Sequence, residues 1–490
     1  MRDAISGRRL VSPTATSSQI PSWPRETIRR SLVEPVAPGN SSKKFEEKTV
    51  SKTEDAFDVP ALINSRPIGA VQYGIVVLCG LVMFLDGLDT QAISYMAPMI
   101  SKEWGLSREV LGPIFSSALT GLMFGYLVLS PLSDRFGHRR LILFSTVTFG
   151  LLTLVTLVAT NVTELMVLRF LTGIALGAAI PSTVALTTEY MPKRLRATFV
   201  LAIYCGFSLG FVAAGGLAAS MIPLYGWRSM LWIGAVTPLA LAVLVYVFLP
   251  ESLDFLVRTR AKPHGIWRIV RRLDRTLPSA GPQQFLTEVE AKRSAVGSLF
   301  QSGRTLGTLV LWLVFGLNLA EFYALQSWLP TILAGHGFSP NAVALATSMT
   351  TIGGIVAAFA IGPAMDKLGA YRSLAVVYFA GVVFVALMGP AISAPAGVLM
   401  VAAFCAGFCI SGGQKSVIAL AAIFYPAPIR STGVGWALGV GRLGGIGGPL
   451  LIGLLLAYEL SAASLFYAAA VPMLLAGILV ALLGVRYRAS

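Results

Sequence analysis

The chain is 490 residues long, 55% apolar and only 12% charged, with a mean hydropathy of +0.74. Soluble proteins carry roughly 25% charged residues, so a water-soluble enzyme, a collagen, a disulfide scaffold and a disordered chain are excluded, leaving a protein solvated mostly by lipid. The net charge of +15 sits in short loops between apolar runs, a membrane-protein pattern rather than a nucleic-acid-binding one.

In chain order, residues 1–69 are rich in Ser, Pro and mixed charge and contain no apolar run of signal-peptide type. They are predicted to form a disordered cytoplasmic extension. Six apolar runs follow at 70–97, 112–132, 141–160, 164–190, 198–222 and 228–250, each long enough to span a membrane as a helix. The polar stretch 251–305 reads as a central loop. Six more runs occupy 306–333, 341–365, 373–392, 396–425, 430–456 and 461–485. Arg135, Arg139 and Arg140, then Lys193, Arg194 and Arg196, then Lys367, Arg372, Arg430, Arg486 and Arg488 all fall in alternate loops. The positive-inside rule therefore predicts cytoplasmic termini and a cytoplasmic central loop. The expected architecture is all-α, with an N-terminal six-helix bundle over 70–250 and a C-terminal one, with a short tail, over 306–490.

The two groups of six repeat. Pro131-Leu-Ser-Asp134-Arg135-Phe-Gly137 recurs as Pro363-Ala-Met-Asp366-Lys367-Leu-Gly369, an offset of 232 that also relates Pro98 to Pro330. The same offset carries Asp86 and Asp89 onto Asn318 and Glu321. A duplication with parallel halves implies a site between the halves near the bilayer midplane.

Ser130-Pro-Leu-Ser-Asp134-Arg135-Phe-Gly137-His-Arg139-Arg140 resembles the helix 2–3 signature of the major facilitator superfamily, with Ser130 standing where that signature has Gly. Arg169-Phe-Leu-Thr-Gly173 resembles its helix-4 motif. Asp86-Gly87-Leu-Asp89-Thr90, Gln326-Ser-Trp328-Leu-Pro330 and the run Arg430 to Gly445 are similar to the aromatic acid/proton symporter branch. The resemblance covers roughly 70–488. It implies a twelve-helix fold and proton-coupled import of an aromatic carboxylate, of hydroxybenzoate type, across a bacterial inner membrane by a monomer.

Six charges lie deep within spans: Asp86, Asp89, Arg169, Glu321, Lys415 and Arg442. Asp86 and Asp89 are three apart and so share a helix face. An ionised carboxylate at mid-bilayer is costly without a partner or water, which suits a group that loads and releases a proton, with Asp89 slightly ahead of Asp86. Arg169 is open to three roles: proton coupling, substrate contact or structural pairing. A dry cavity that takes an anion needs a buried cation, so Arg442 and Lys415 are candidate substrate ligands, with Gln414, Asn318, Gln326, Trp328 and Tyr95 around them. Glu321 is expected to face the central cavity as a proton carrier or as partner to Lys415 or Arg442. Asp134, Arg135, Arg139, Arg140, Glu189, Arg196, Asp366 and Lys367 are expected, from the resemblance, to form a gating charge network.

Gly439-x-Gly441-x-x-Gly444 fits a dinucleotide fingerprint, but no strand precedes it and close helix packing explains it better. The four cysteines lie in apolar runs without metal-ligand partners, and no enzyme, metal or cofactor motif is present. An efflux antiporter is the main rival reading. The stretch Gly206 to Gly216 lacks a Pro that antiporters of the superfamily typically carry, which favours import.

Overall fold

The computed structural model describes residues 56–129, 132–287, 296–426, 429–458 and 460–487, the side chains of Asp134, Ala197 and Ser431 excepted. Calls on residues 1–55 lie outside it. Twelve helices are long and apolar enough to cross a membrane. In the first half they are α2 (Ala70–Trp104), α3 (Leu111–Phe124), α5 (His138–Thr156), α6 (Val162–Tyr190), α7 (Arg196–Tyr225) and α8 (Arg228–Phe248). A π-helical turn, Gly125–Leu129, extends α3. In the second half they are α11 (Thr305–Gly335), α12 (Pro340–Leu368), α13 (Ala370–Ala391), α14 (Ala396–Phe424), α15 (Arg430–Ala457) and α16 (Ala462–Tyr487).

The duplication is visible in the packing. α2 lies on α7, α3 on α6, and α5 on α6 and α8; correspondingly α11 lies on α15, α12 on α14, and α13 on α14 and α16. Small residues permit these close crossings. A Cβ at Gly444 would overlap the backbone carbonyl of Gly316 on α11, and one at Gly448 that of Ala320, so the glycine-rich fingerprint is a packing seam.

The first span is longer than its apolar pattern. Pro98 sits inside α2, which runs on to Trp104 and ends at Gly105 with φ +64°. A proline removes one backbone bond without ending a helix that neighbours hold in place. At ~1.5 Å per residue, the 35 residues of α2 outreach a ~30 Å hydrocarbon core.

Two segments depart from expectation. Residues 56–69 fall within the predicted disordered extension, yet Ala56–Asp58 forms strand β1 and Val59–Ser65 the short helix α1. The polar stretch 251–305 likewise holds α9 (Leu253–Arg258), α10 (Pro263–Leu273) and strand β2 (Gln284–Leu286). β1 and β2 pair in parallel, with Phe57 opposite Phe285. The reason is a small apolar core: Trp267 packs edge-on to Phe57 at 5.2 Å and beside Phe285 at 6.4 Å. Arg66 closes it with an ion pair to Asp274 at 2.6 Å. Burial alone would raise the Asp274 carboxyl, but bonds from the Thr276 hydroxyl and amide, with the Arg66 guanidinium, hold it below the usual carboxylate range. Short, sequence-distant strands of this kind leave no periodic signal.

Candidate functional site

α2 and α6 cross where Asp89 meets Arg169. The Arg169 guanidinium donates to the Asp89 carboxylate at 2.8 Å and to the Asp89 carbonyl at 3.1 Å, with both side chains buried. Of the roles open to Arg169, counter-charge to the helix-1 aspartates is the one this geometry fits. Asp89 is held by a full positive charge, whereas Asp86, one turn nearer the basic face, is buried with no hydrogen-bond partner for Oδ1 among the described residues.

Asp86 interacts electrostatically with Arg442 of α15, across the gap between the halves. Arg442 is held by tyrosines from both sides. It donates to the hydroxyl of Tyr323 on α11 at 2.9 Å and to that of Tyr126 at 3.3 Å, and lies over the Tyr126 ring at 5.2 Å. Tyr204 on α7 joins the same electrostatic group. Tyr204 is 42% exposed. Tyr126 and Tyr204 carry no charge and sit in apolar runs, so sequence reasoning passed over them. No local signal in the sequence marks them; the π-helical turn that carries Tyr126, a distortion frequent at functional sites, is visible in the structure alone.

Lys415 on α14 donates to the Gly354 carbonyl at 2.9 Å and lies within electrostatic range of Cys205 on α7. It therefore lies near the first half, with half-buried Gln414 beside it. Asn318 is buried within that half, donating to the Ile410 carbonyl at 3.2 Å. Glu321 is buried as well, with no partner for Oε1 among the described residues. It makes no ion pair with Lys415 or Arg442 among the described residues.

Three other expected pocket residues close one end of the molecule instead. Gln91 donates to the Gln326 carbonyl at 3.1 Å and Ser116 to the Ile446 carbonyl at 2.8 Å, both across the halves. Gln326 itself donates to Thr350 at 3.1 Å. Trp328, 1% exposed, donates to the Pro449 carbonyl at 2.9 Å and meets Phe115 edge-on at 5.1 Å. Tyr95 packs its hydroxyl between Gly215 of α7 and the Thr347–Ser348 turn of α12. These contacts seal the face opposite the basic loops. The same helix face holds both seal and site at different depths, which a pattern of residue types does not separate.

On the basic face, the carboxylate of Glu251, a residue the sequence did not single out, accepts from the backbone amide of Arg139 at 2.9 Å. The Arg139 guanidinium donates to the Tyr246 carbonyl and lies over that ring at 5.6 Å. Glu189 accepts from the amide of Asp254 at 2.7 Å, and Arg196 donates to the Met191 carbonyl at 3.2 Å. Arg135, Arg140, Asp366 and Lys367 are exposed, and the Asp134 side chain is outside the described residues. Glu189, Arg139 and Arg196 thus each meet a backbone group at a helix end.

A family model for the Major Facilitator Superfamily matches residues 79–338 and 311–490. The chain belongs to this superfamily. Among its superfamily relatives, the 4-hydroxybenzoate transporter PcaK of Pseudomonas putida is 40% identical over 411 residues, covering 81% of this chain and 90% of PcaK. The gallate transporter of Pseudomonas putida is 38% identical, with 84% and 91% covered. The 3-(3-hydroxy-phenyl)propionate transporter of Escherichia coli is 35% identical, with 83% and 92% covered. The superfamily fold matches that of the E. coli xylose transporter XylE in a partially occluded inward-open conformation, with a TM-score of 0.64 at 18% identity over 86% of this chain and 98% of XylE.

Proposed function

We propose that this superfamily member imports an aromatic carboxylate of hydroxybenzoate type together with protons, working as a monomer in the bacterial inner membrane with both termini cytoplasmic. The observation that carries the reading is Arg442, a half-buried cation held by tyrosines of both halves and in electrostatic contact with Asp86. An anion entering a low-dielectric cavity must be neutralised. A guanidinium offers a planar fork matched to a carboxylate, and Tyr126, Tyr204 and Tyr323 supply faces for a flat ring. The names of the three relatives support the substrate class.

Coupling follows from competition for one cation. While Asp86 is ionised it occupies the field of Arg442. When Asp86 takes up a proton, Arg442 is released to bind the substrate carboxylate, so proton and substrate load together. Release of the proton to the cytoplasm restores Asp86 as the rival and expels the substrate. Asp89 stays paired with Arg169 and fixes the helix crossing, Glu321 is a second protonatable carboxyl, and Lys415 extends the positive field along the exit path. The seal at Trp328, Phe115 and Tyr95 supports a state closed to the outside, and alternating access would part it. The basic-face groups Arg135, Arg139, Arg140, Glu189, Arg196, Asp366 and Lys367 would stabilise the opposite closure.

The test is 4-hydroxybenzoate uptake into proteoliposomes. Asp86→Asn should lose uptake driven by an imposed proton gradient and keep substrate counterflow. Gradient-driven uptake at the wild-type rate in Asp86→Asn would remove Asp86 from the coupling site.

A further inference from the structure

Helix α10 has two unlike faces. Ile266, Trp267 and Val270 are buried, while Arg268, Arg271 and Arg272 are exposed, with Arg275 just beyond the helix and Lys262 and His264 at its start. The chain after α10 folds back, held by the Trp267 indole, which donates to the Pro278 carbonyl at 3.0 Å. The result is a cleft of about 390 Å³ into which Arg268, Arg271, Arg272 and Arg275 converge, with His264 and Ser279 at its edge. No carboxylate lines it. The nearest acid in sequence, Asp274, is taken by Arg66 at 2.6 Å and by the Thr276 hydroxyl at 2.7 Å. Among the described residues, the hydrogen-bond partner of these guanidiniums is His264, 3.4 Å from Arg268.

Four like charges in one cleft repel one another unless an anion joins them. Guanidiniums are matched to phosphate oxygens, which they bind in bidentate fashion. The position of the cleft identifies the source. The Leu273 carbonyl at the end of α10 lies against Gly69, the residue that precedes α2. The cleft is thus beside the point where the first span enters the bilayer, within reach of the surface potential of an anionic leaflet.

We infer that the arginine cleft of α10 binds the phosphate headgroup of an anionic phospholipid at the membrane surface. Bound lipid neutralises the cleft and anchors α10, and with it the β1–β2 pair, to the bilayer.

Native mass spectrometry of the full-length protein, titrated with phosphatidylglycerol, phosphatidylcholine or inorganic phosphate, tests this. The wild type should retain phosphatidylglycerol over phosphatidylcholine, and each Arg→Gln change at 268, 271, 272 or 275 should weaken that retention about five-fold. The fourfold Arg→Lys variant keeps the charge but loses the planar fork, and should retain the lipid less tightly than the wild type and more tightly than the fourfold Gln variant. Should the fourfold Gln variant aggregate, the single variants Arg268→Gln and Arg275→Gln give the same reading. Equal phosphatidylglycerol retention by wild type and Gln variants would overturn the site. Displacement of the lipid by equimolar inorganic phosphate would overturn the lipid as its ligand.

Discussion

Removing the guanidinium at residue 169 leaves a charge with nowhere to go. Arg169→Gln strips the Asp89 carboxylate of its 2.8 Å partner and the Asp89 carbonyl of its 3.1 Å donor, at a position where the side chains are 2% and 5% exposed. Breaking a buried pair from one side costs about 3–5 kcal/mol, because the remaining charge stays desolvated. For a unit the size of one six-helix half, ~1 kcal/mol shifts the melting temperature by ~2–4 °C, so a drop of about 10 °C is expected. The double variant Arg169→Gln with Asp89→Asn removes both charges while keeping amides that can bond one another, and should recover most of the loss. The assay is thermal unfolding in detergent, followed by tryptophan fluorescence, for the wild type, both single variants and the double variant. Losses that simply add in the double variant would show that the two charges do not sustain one another, and would refute the counter-charge reading of Arg169.

Tyr126→Phe removes the 3.3 Å bond to Arg442 but keeps the ring beneath it, so KM for 4-hydroxybenzoate should rise roughly two- to thirteen-fold with little change in kcat, as fits a bond of about 0.5–1.5 kcal/mol; uptake kinetics in proteoliposomes decide. Gly444→Val drives a branched side chain into the Gly316 carbonyl and should abolish detergent-stable protein, read as loss of the monodisperse peak in size exclusion. The Asp274 carboxyl is held below its ordinary value in the folded chain, so its contribution is complete above about pH 4, the unfolded value, and lost as pH falls through the folded one. Hydrogen exchange of residues 56–58 and 284–286 should therefore quicken below pH 4 in the wild type, and quicken already at pH 7 in Asp274→Asn.

What the sequence revealed follows the range of each signal. The twelve spans and their duplication are read from runs of twenty residues and a fixed offset, and both survive in the packing of α2 on α7 and of α11 on α15. The six buried charges stand out because a charge in lipid is conspicuous. Their pairing does not, since helical spacing gives the direction of Asp86 and Asp89 but not the height at which α6 brings Arg169. Uncharged partners such as Tyr126 and Tyr204 have no contrast against apolar neighbours. Trp328 and Tyr95 show how residue type suggests a ring-binding role while depth assigns them to a seal. The pairing of Phe57 with Phe285 joins three-residue strands more than two hundred residues apart, beyond any local pattern.

The grip of Tyr126 on Arg442 joins one half of the molecule to the other, and a rocking motion that separates the halves must break it. The contact is therefore a thermodynamic link between conformation and occupancy. Because the bond holds Arg442 in place for the substrate, joined halves and bound substrate favour one another, and by reciprocity any state in which the halves have parted presents an Arg442 with a different affinity for substrate. A bond of about 0.5–1.5 kcal/mol sets that ratio at roughly two- to thirteen-fold. One tyrosine hydroxyl thus tilts both the resting population of the two orientations and the difference in affinity between the two sides of the membrane.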